Sequence, residues 1–161
     1  AELYQRSRVR LDGDAVYLGW ERLASGRIAR GERHAYRLLD CRTEVVSDGR
    51  CVAVDTLRLD TLTGDPDRHG VTGGHDYVVA VVIAAPRRPD RLERLADELA
   101  ALLEASTDPV GAVSSLPGGT GLIVRLLGSR APSVRRVLAG TWLAARRSLS
   151  DRPGIPERIL R

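Results

Sequence analysis

Three groups of residues have the types and spacing to do chemistry. The first lies in ASGRIARGE, residues 24–32, where Gly26-Arg27 is followed closely by Gly31-Glu32. Two glycines allow tight bends between packed strands. Arg27 and Glu32 can then pair with each other, or line a wet passage in which a carboxylate holds a cation loosely enough to release it. The second group is Asp40, Glu44 and Asp55. They fall on either side of Asp48-Gly49, the strongest hairpin signal in the chain. A two-residue turn there puts Arg42 opposite Asp55 and collects the three acids on one strand face. That face is either solvated or a functional groove. The third group is the loop HGVTGGH, where His69, His75 and the neighbouring Asp76 could close around a divalent ion or stand as ordinary surface residues.

Other chemistry is missing from the text. Ser114-Ser115 lacks the flanking glycines of a nucleophile elbow. Pro117-Gly118-Gly119-Thr120-Gly121 has neither the lysine nor the following helix of a phosphate loop and reads as a turn. Cys41 and Cys51 form no Cys-x-x-Cys motif. The two-residue turn sets Cys51 opposite Val46 and Cys41 opposite Thr56, on different faces, so the pair is expected to be free and buried in a reducing cytosol.

Elements must position these groups, and most of them read as strands. Leu3–Leu11, Ala15–Arg22, His34–Val46 and Cys51–Leu59 have extended character. Asp60–Asp76 is a loop rich in Gly, Pro, Asp and Thr. Tyr77–Ala84 (YVVAVVIA) is a buried strand. Val110–Leu116 and Leu122–Leu127 flank the Pro-Gly-Gly turn. Two helices are expected. Asp90 reads as the cap of the first, with Leu92, Leu95, Leu99, Leu102 and Leu103 at helical spacing through Ser106. Ser133 reads as the cap of the second, with Val134, Leu138, Trp142, Ala145 and Leu149 on its apolar face. The tail, Asp151–Arg161, is Pro-rich and loosely ordered. The sum is a mainly β single domain over 1–161.

Composition narrows the classes. The chain has 161 residues, 43% hydrophobic and 29% charged, which suits one globular domain. No apolar run reaches the roughly 20 residues a membrane helix needs. All 25 basic residues are arginine. The pI near 9.7 invites a nucleic-acid reading. However, the arginines are scattered among acids and are not interleaved with aromatics, so nucleic acid is not the expected partner. There is no Met, and the first residues already read as a strand. Upstream strands are therefore expected to be missing.

The ordered series of motifs resembles the urease accessory proteins of the UreD (or UreH) type. It comprises a strand with Trp20, then Gly26-Arg27, Gly31-Glu32, Arg37 and Arg42, the Asp48-Gly49 hairpin, and the return strand Asp55-Thr56-Leu57-Arg58-Leu59. It continues with Ser114-Ser115 before the Pro-Gly-Gly turn, Arg125 in VRLLG, a helix bearing Trp142, and Arg158-Ile159. The sequence departs from the family pattern at Asp55, Thr56 and Leu160. The resemblance implies strands wound in a β-superhelix-like arrangement with two helices. It also implies a cytoplasmic scaffold that is not an enzyme, holds no cofactor stably, and binds urease apoprotein with UreF and the GTPase UreG. On this reading nickel passes in transit along Glu32, Asp40, Glu44 and Asp55. Rival readings are a β-rich enzyme with catalytic residues in a missing N-terminal part, and a basic nucleic-acid-binding domain.

Overall fold

The structure is a computed structural model that describes residues 1–150. It is mainly β, with seven strands and two helices. Strands β1 (Glu2–Leu11), β3 (Leu38–Ser47) and β4 (Arg50–Asp60) form one sheet in the order β1-β3-β4, with β1 parallel to β3. Strands β2 (Tyr17–Ala24), β5 (Tyr77–Ala84), β7 (Gly121–Gly128) and β6 (Val110–Ser115) form a second, antiparallel sheet in that order. Helices α1 (Pro89–Glu104) and α2 (Ala131–Leu149) cover one face of the second sheet, and the first sheet lies against the other.

This layering explains the sequence of β5. A strand in mid-sheet with a helical layer on one side and a sheet on the other has no wet face, so it reads as a continuous apolar run rather than an alternating one. Val79, Val81 and Ile83 join Leu122, Val124 and Leu126 of β7 beneath Leu92, Leu95 and Leu99 of α1 and Val134, Val137 and Leu138 of α2. Ala80, Val82 and Ala84 point the other way. Val82 and Ala84 pack with Leu11, Val45 and Ala53 in a smaller core between the sheets.

Both helix starts differ from the sequence expectation. α1 begins at Pro89 with Arg88 at its cap, and Asp90 sits in the first turn, where its charge suits the helix dipole. α2 begins at Ala131 with Arg130 at the cap, and Ser133 is buried inside the first turn. In each case proline in the first turn sets the boundary. The expected strand from His34 begins only at Leu38. Residues 151–161, with Arg158 among them, lie outside the described residues.

The β3–β4 hairpin turns on Asp48 (φ 49°) and Gly49 (φ 77°), the two left-handed residues of a primed turn. Its register is not the simple one. Val46 pairs with Cys51, as expected, but Val45 pairs with Ala53, so Val52 is an extra residue and the hairpin carries a β-bulge. Parity flips beyond it. Arg42 faces Thr56 rather than Asp55, Cys41 faces Leu57 rather than Thr56, and Asp55 faces Thr43.

Candidate functional site

The bulge decides which carboxylates meet. Beyond it, Ala53, Asp55 and Leu57 share the inward face with Val45, Thr43 and Cys41, whereas Asp40, Arg42 and Glu44 turn outward with Thr56 and Arg58. The expectation of a single face for Asp40, Glu44 and Asp55 is thus corrected: Asp55 is separated from the other two by the thickness of the sheet.

Asp55 enters a polar cleft of about 150 Å³ between the two sheets. Gln5 and Ser7 of β1, Glu21 of β2 and Thr43 of β3 line it with Asp55. Gln5 Nε2 donates to Glu21 Oε1 at 2.5 Å, and Thr43 Oγ1 lies 3.4 Å from the same oxygen. Arg125 reaches across from β7 and donates to Asp55 Oδ1. Asp55 is only 6% exposed, so that guanidinium balances a carboxylate largely removed from water. On the same inward face, burial first, and then Glu21 and Asp40, push the Cys41 thiol up, which keeps it protonated.

Glu21 had no place in the sequence-derived set. Its signal was available in YLGWERLA: period-two alternation puts Glu21 on the same face as Tyr17 and Gly19. Nothing in β2 alone says that this face is covered by a second sheet.

The remaining candidates lie elsewhere. Arg27 and Glu32 form a two-bonded ion pair, Nε to Oε2 at 2.7 Å and Nη2 to Oε1 at 2.8 Å, outside the cleft. A 3-10 turn, Ile28–Arg30, ends at Gly31 in the left-handed region (φ 70°) and brings them together. Gly26 is required by close approach, since a Cβ there would sit 2.5 Å from the Glu32 carbonyl oxygen. Asp40 is held between Arg6 (2.9 Å) and Arg58 (3.0 Å), and the Arg6 hydrogen bond foremost depresses its carboxyl below the ordinary range. Glu44 lies 3.6 Å from Arg8. Trp20 is exposed on β2, and Ser115 ends β6 opposite Leu122. The Arg146 guanidinium lies over the Trp142 ring at 5.3 Å.

The long loop is tied down by a separate network. His34 places Nε2 2.9 Å from Asp67 Oδ1 and Nδ1 2.8 Å from the Tyr36 hydroxyl. Arg33 pairs with Asp67 and Asp76, and Thr72 Oγ1 donates to Asp67 at 2.8 Å. His34 first, then Thr72 and Arg33, lower the Asp67 carboxyl from 3.8 to about 2. His75 Nδ1 lies 3.4 Å from Ser129 Oγ. Asp76 is engaged by Arg33 and Ser25 rather than by either loop histidine. Among the described residues no group of three or more His, Cys, Asp or Glu is arranged to hold a metal ion, so the loop does not gather His69, His75 and Asp76 into a site. Cys41 and Cys51 are both free, as expected, but Cys51 is exposed rather than buried. No helix among the described residues is long and apolar enough to cross a membrane.

Comparison with known proteins gives a consistent result. The family model described as UreD urease accessory protein matches residues 1–161. The chain is 34% identical to urease accessory protein UreD of Mycolicibacterium gilvum, over 90% of its own length and 51% of that protein's. It is 35% identical to urease accessory protein UreD 2 of Streptomyces griseus, over 95% and 52% respectively. It is 37% identical to urease accessory protein UreD 3 of Methylorubrum extorquens, over 90% and 47%. The chain therefore spans about half the length of the curated relatives it matches.

Proposed function

The chain belongs to the UreD family of urease accessory proteins, and from that premise we propose that it acts in urease maturation as a cytoplasmic scaffold with no reaction of its own. It associates with urease apoprotein and with the partner accessory proteins UreF and UreG, and nickel is its cargo. The helical winding of strands implied by the family resemblance belongs to the same reading.

The observation that carries the nickel part is the inter-sheet cleft. It collects two carboxylates, Glu21 and Asp55, with the Ser7 and Thr43 hydroxyls and the Gln5 amide, in a polar space between the sheets. Oxygen donors without imidazole or thiolate hold nickel weakly compared with a nitrogen or sulfur set. The protonated Cys41 thiol supplies no soft ligand. Such a lining suits an ion that is passed on rather than stored. Arg125 already engages Asp55, so an arriving cation shares that carboxylate with a guanidinium, which weakens its hold further.

The test is nickel-dependent activation of urease apoprotein with the accessory proteins present. Glu21→Gln and Asp55→Asn are each expected to lower activation several-fold while the protein stays folded and soluble. Full activation by both variants removes the cleft from the route. Glu32→Gln distinguishes the alternative path. Glu32 is engaged by Arg27 outside the cleft, so this variant is expected to activate normally. Its loss of activation in a stable protein would restore Glu32 to the route.

A further inference from the structure

We propose that the outward face of the β1–β3–β4 sheet is a docking surface for an acidic patch on a partner protein. The inference rests on the charge of that face and stands apart from the nickel reading. Both helices and the second sheet lie on the other side of this layer. Alternation along β1 places Arg6, Arg8 and Arg10 outward, because Gln5, Ser7 and Leu11 face inward. The register sets Arg6 beside Arg42, Arg8 beside Glu44, and Asp40 beside Arg58. The face therefore carries Arg6, Arg8, Arg10, Arg42 and Arg58 against Asp40 and Glu44 in its middle and Glu2 and Asp60 at one end, where Arg37 engages Glu2.

Internal pairing confines the positive surplus to Arg10 and Arg42. Asp40 is shared by Arg6 and Arg58, Arg58 also engages Asp60, and Glu44 is engaged by Arg8. Arg10 and Arg42 have no carboxylate among the described residues, and Arg42 reaches only Thr56 Oγ1, at 3.4 Å. The three paired arginines remain open to solvent, with side chains 53%, 61% and 54% exposed. Exposed pairs of this kind are weak and exchange readily for an incoming carboxylate. A guanidinium fork matches a carboxylate with two parallel bonds, so rows of arginine on a flat sheet suit carboxylates on another protein.

The same face is poorly suited to nucleic acid. Of the aromatic rings, only exposed Tyr4 shares this face to offer a base a stacking platform. An acidic protein surface is therefore the occupant favoured.

Binding to a short poly-L-glutamate, compared with a single-stranded oligodeoxythymidylate of equal charge, tests this by titration at two salt concentrations. R10E/R42E is expected to weaken poly-L-glutamate binding by about tenfold and to reduce its salt dependence. R135E/R136E, on exposed positions of α2, makes the same change in net charge and is expected to leave affinity within about twofold. Should R10E/R42E fail to fold, R10Q/R42Q is expected to give a smaller loss in the same direction. Equal weakening by the α2 pair overturns the proposal, because net charge alone would then explain binding. Absence of poly-L-glutamate binding by the unmodified protein overturns it as well. Tighter binding of the oligonucleotide would replace it with a nucleic-acid surface.

Discussion

Asp55 and Asp67 show two ways in which a carboxylate is held in this protein. Asp55 is nearly buried and leans on one guanidinium from another sheet. Arg125→Ala leaves that carboxylate without its partner and is expected to cost about 1–3 kcal/mol, read as a lowered urea midpoint. The Arg125→Ala/Asp55→Ala double variant should lose less than the sum of the singles, because the two act as one unit. Asp67 is held instead by several donors on exposed loops. Its folded carboxyl titrates at about 2, below its ordinary 3.8. A depressed carboxyl contributes stability that is complete above the unfolded value and is lost as pH falls through the folded one. The tie between residues 33–34 and 67 should therefore hold at pH 5 and weaken between about pH 4 and about pH 2. Asp67→Asn should abolish that acid-induced step. Limited proteolysis of the 60–76 loop across this range reads both effects.

At the level of elements, local chemistry and packing make separable contributions. The motif at 26–32 is self-contained: a 3-10 turn, one left-handed glycine and one ion pair close it. Gly26→Ala drives a methyl group into the Glu32 carbonyl and is expected to cost about 1–3 kcal/mol, measured by thermal melting. Helix α1 depends on its partners instead. Leu92, Leu95, Leu99 and Leu103 form one buried stripe, and Leu95 is fully buried. Leu95→Ala is expected to cost about 2–5 kcal/mol, whereas Glu93→Ala on the exposed side should stay within about 0.5 kcal/mol. The β3–β4 bulge is an element-level feature with consequences at the site. It sends Asp55 inward and leaves Asp40 outward.

For the molecule as a whole, the two cores are unequal. The one between helices and sheet is large and predominantly apolar, whereas the one between the sheets is small and adjoins the polar cleft. Cooperative stability concentrates where buried apolar contact is densest. Amide hydrogen exchange should therefore be slowest in β5, β7 and α1, and markedly faster in β1, an edge strand paired on one side only. Uniform protection across both sheets would show instead that the polar interface is as cohesive as the apolar one.

Much of the architecture was legible in the chain itself. An unbroken apolar run marked β5, the Pro-Gly-Gly turn marked β6 and β7 on its two sides, and apolar residues at helical spacing marked both helices, all close to their observed bounds, because a helix buried on one face leaves a period in its residues. The Asp48-Gly49 turn was legible because few residues adopt its backbone, and the ordered Gly-Arg, Gly-Glu and Arg motifs pointed to the family. Helix starts were missed by a few residues because side-chain caps were expected where proline set the boundary. The site was legible only in part. Asp55 was identified but assigned to the wrong face, and Glu21 was not identified. Both depend on facts with no local signature. One extra residue in a strand inverts every side chain beyond it, and whether a strand face meets water or another sheet is decided by residues far away in sequence. Thus the sequence by itself determined which segments extend or coil and which family they form. Only the tertiary structure decided which carboxylates share an interior, because that choice is made by strand register and by the stacking of two sheets.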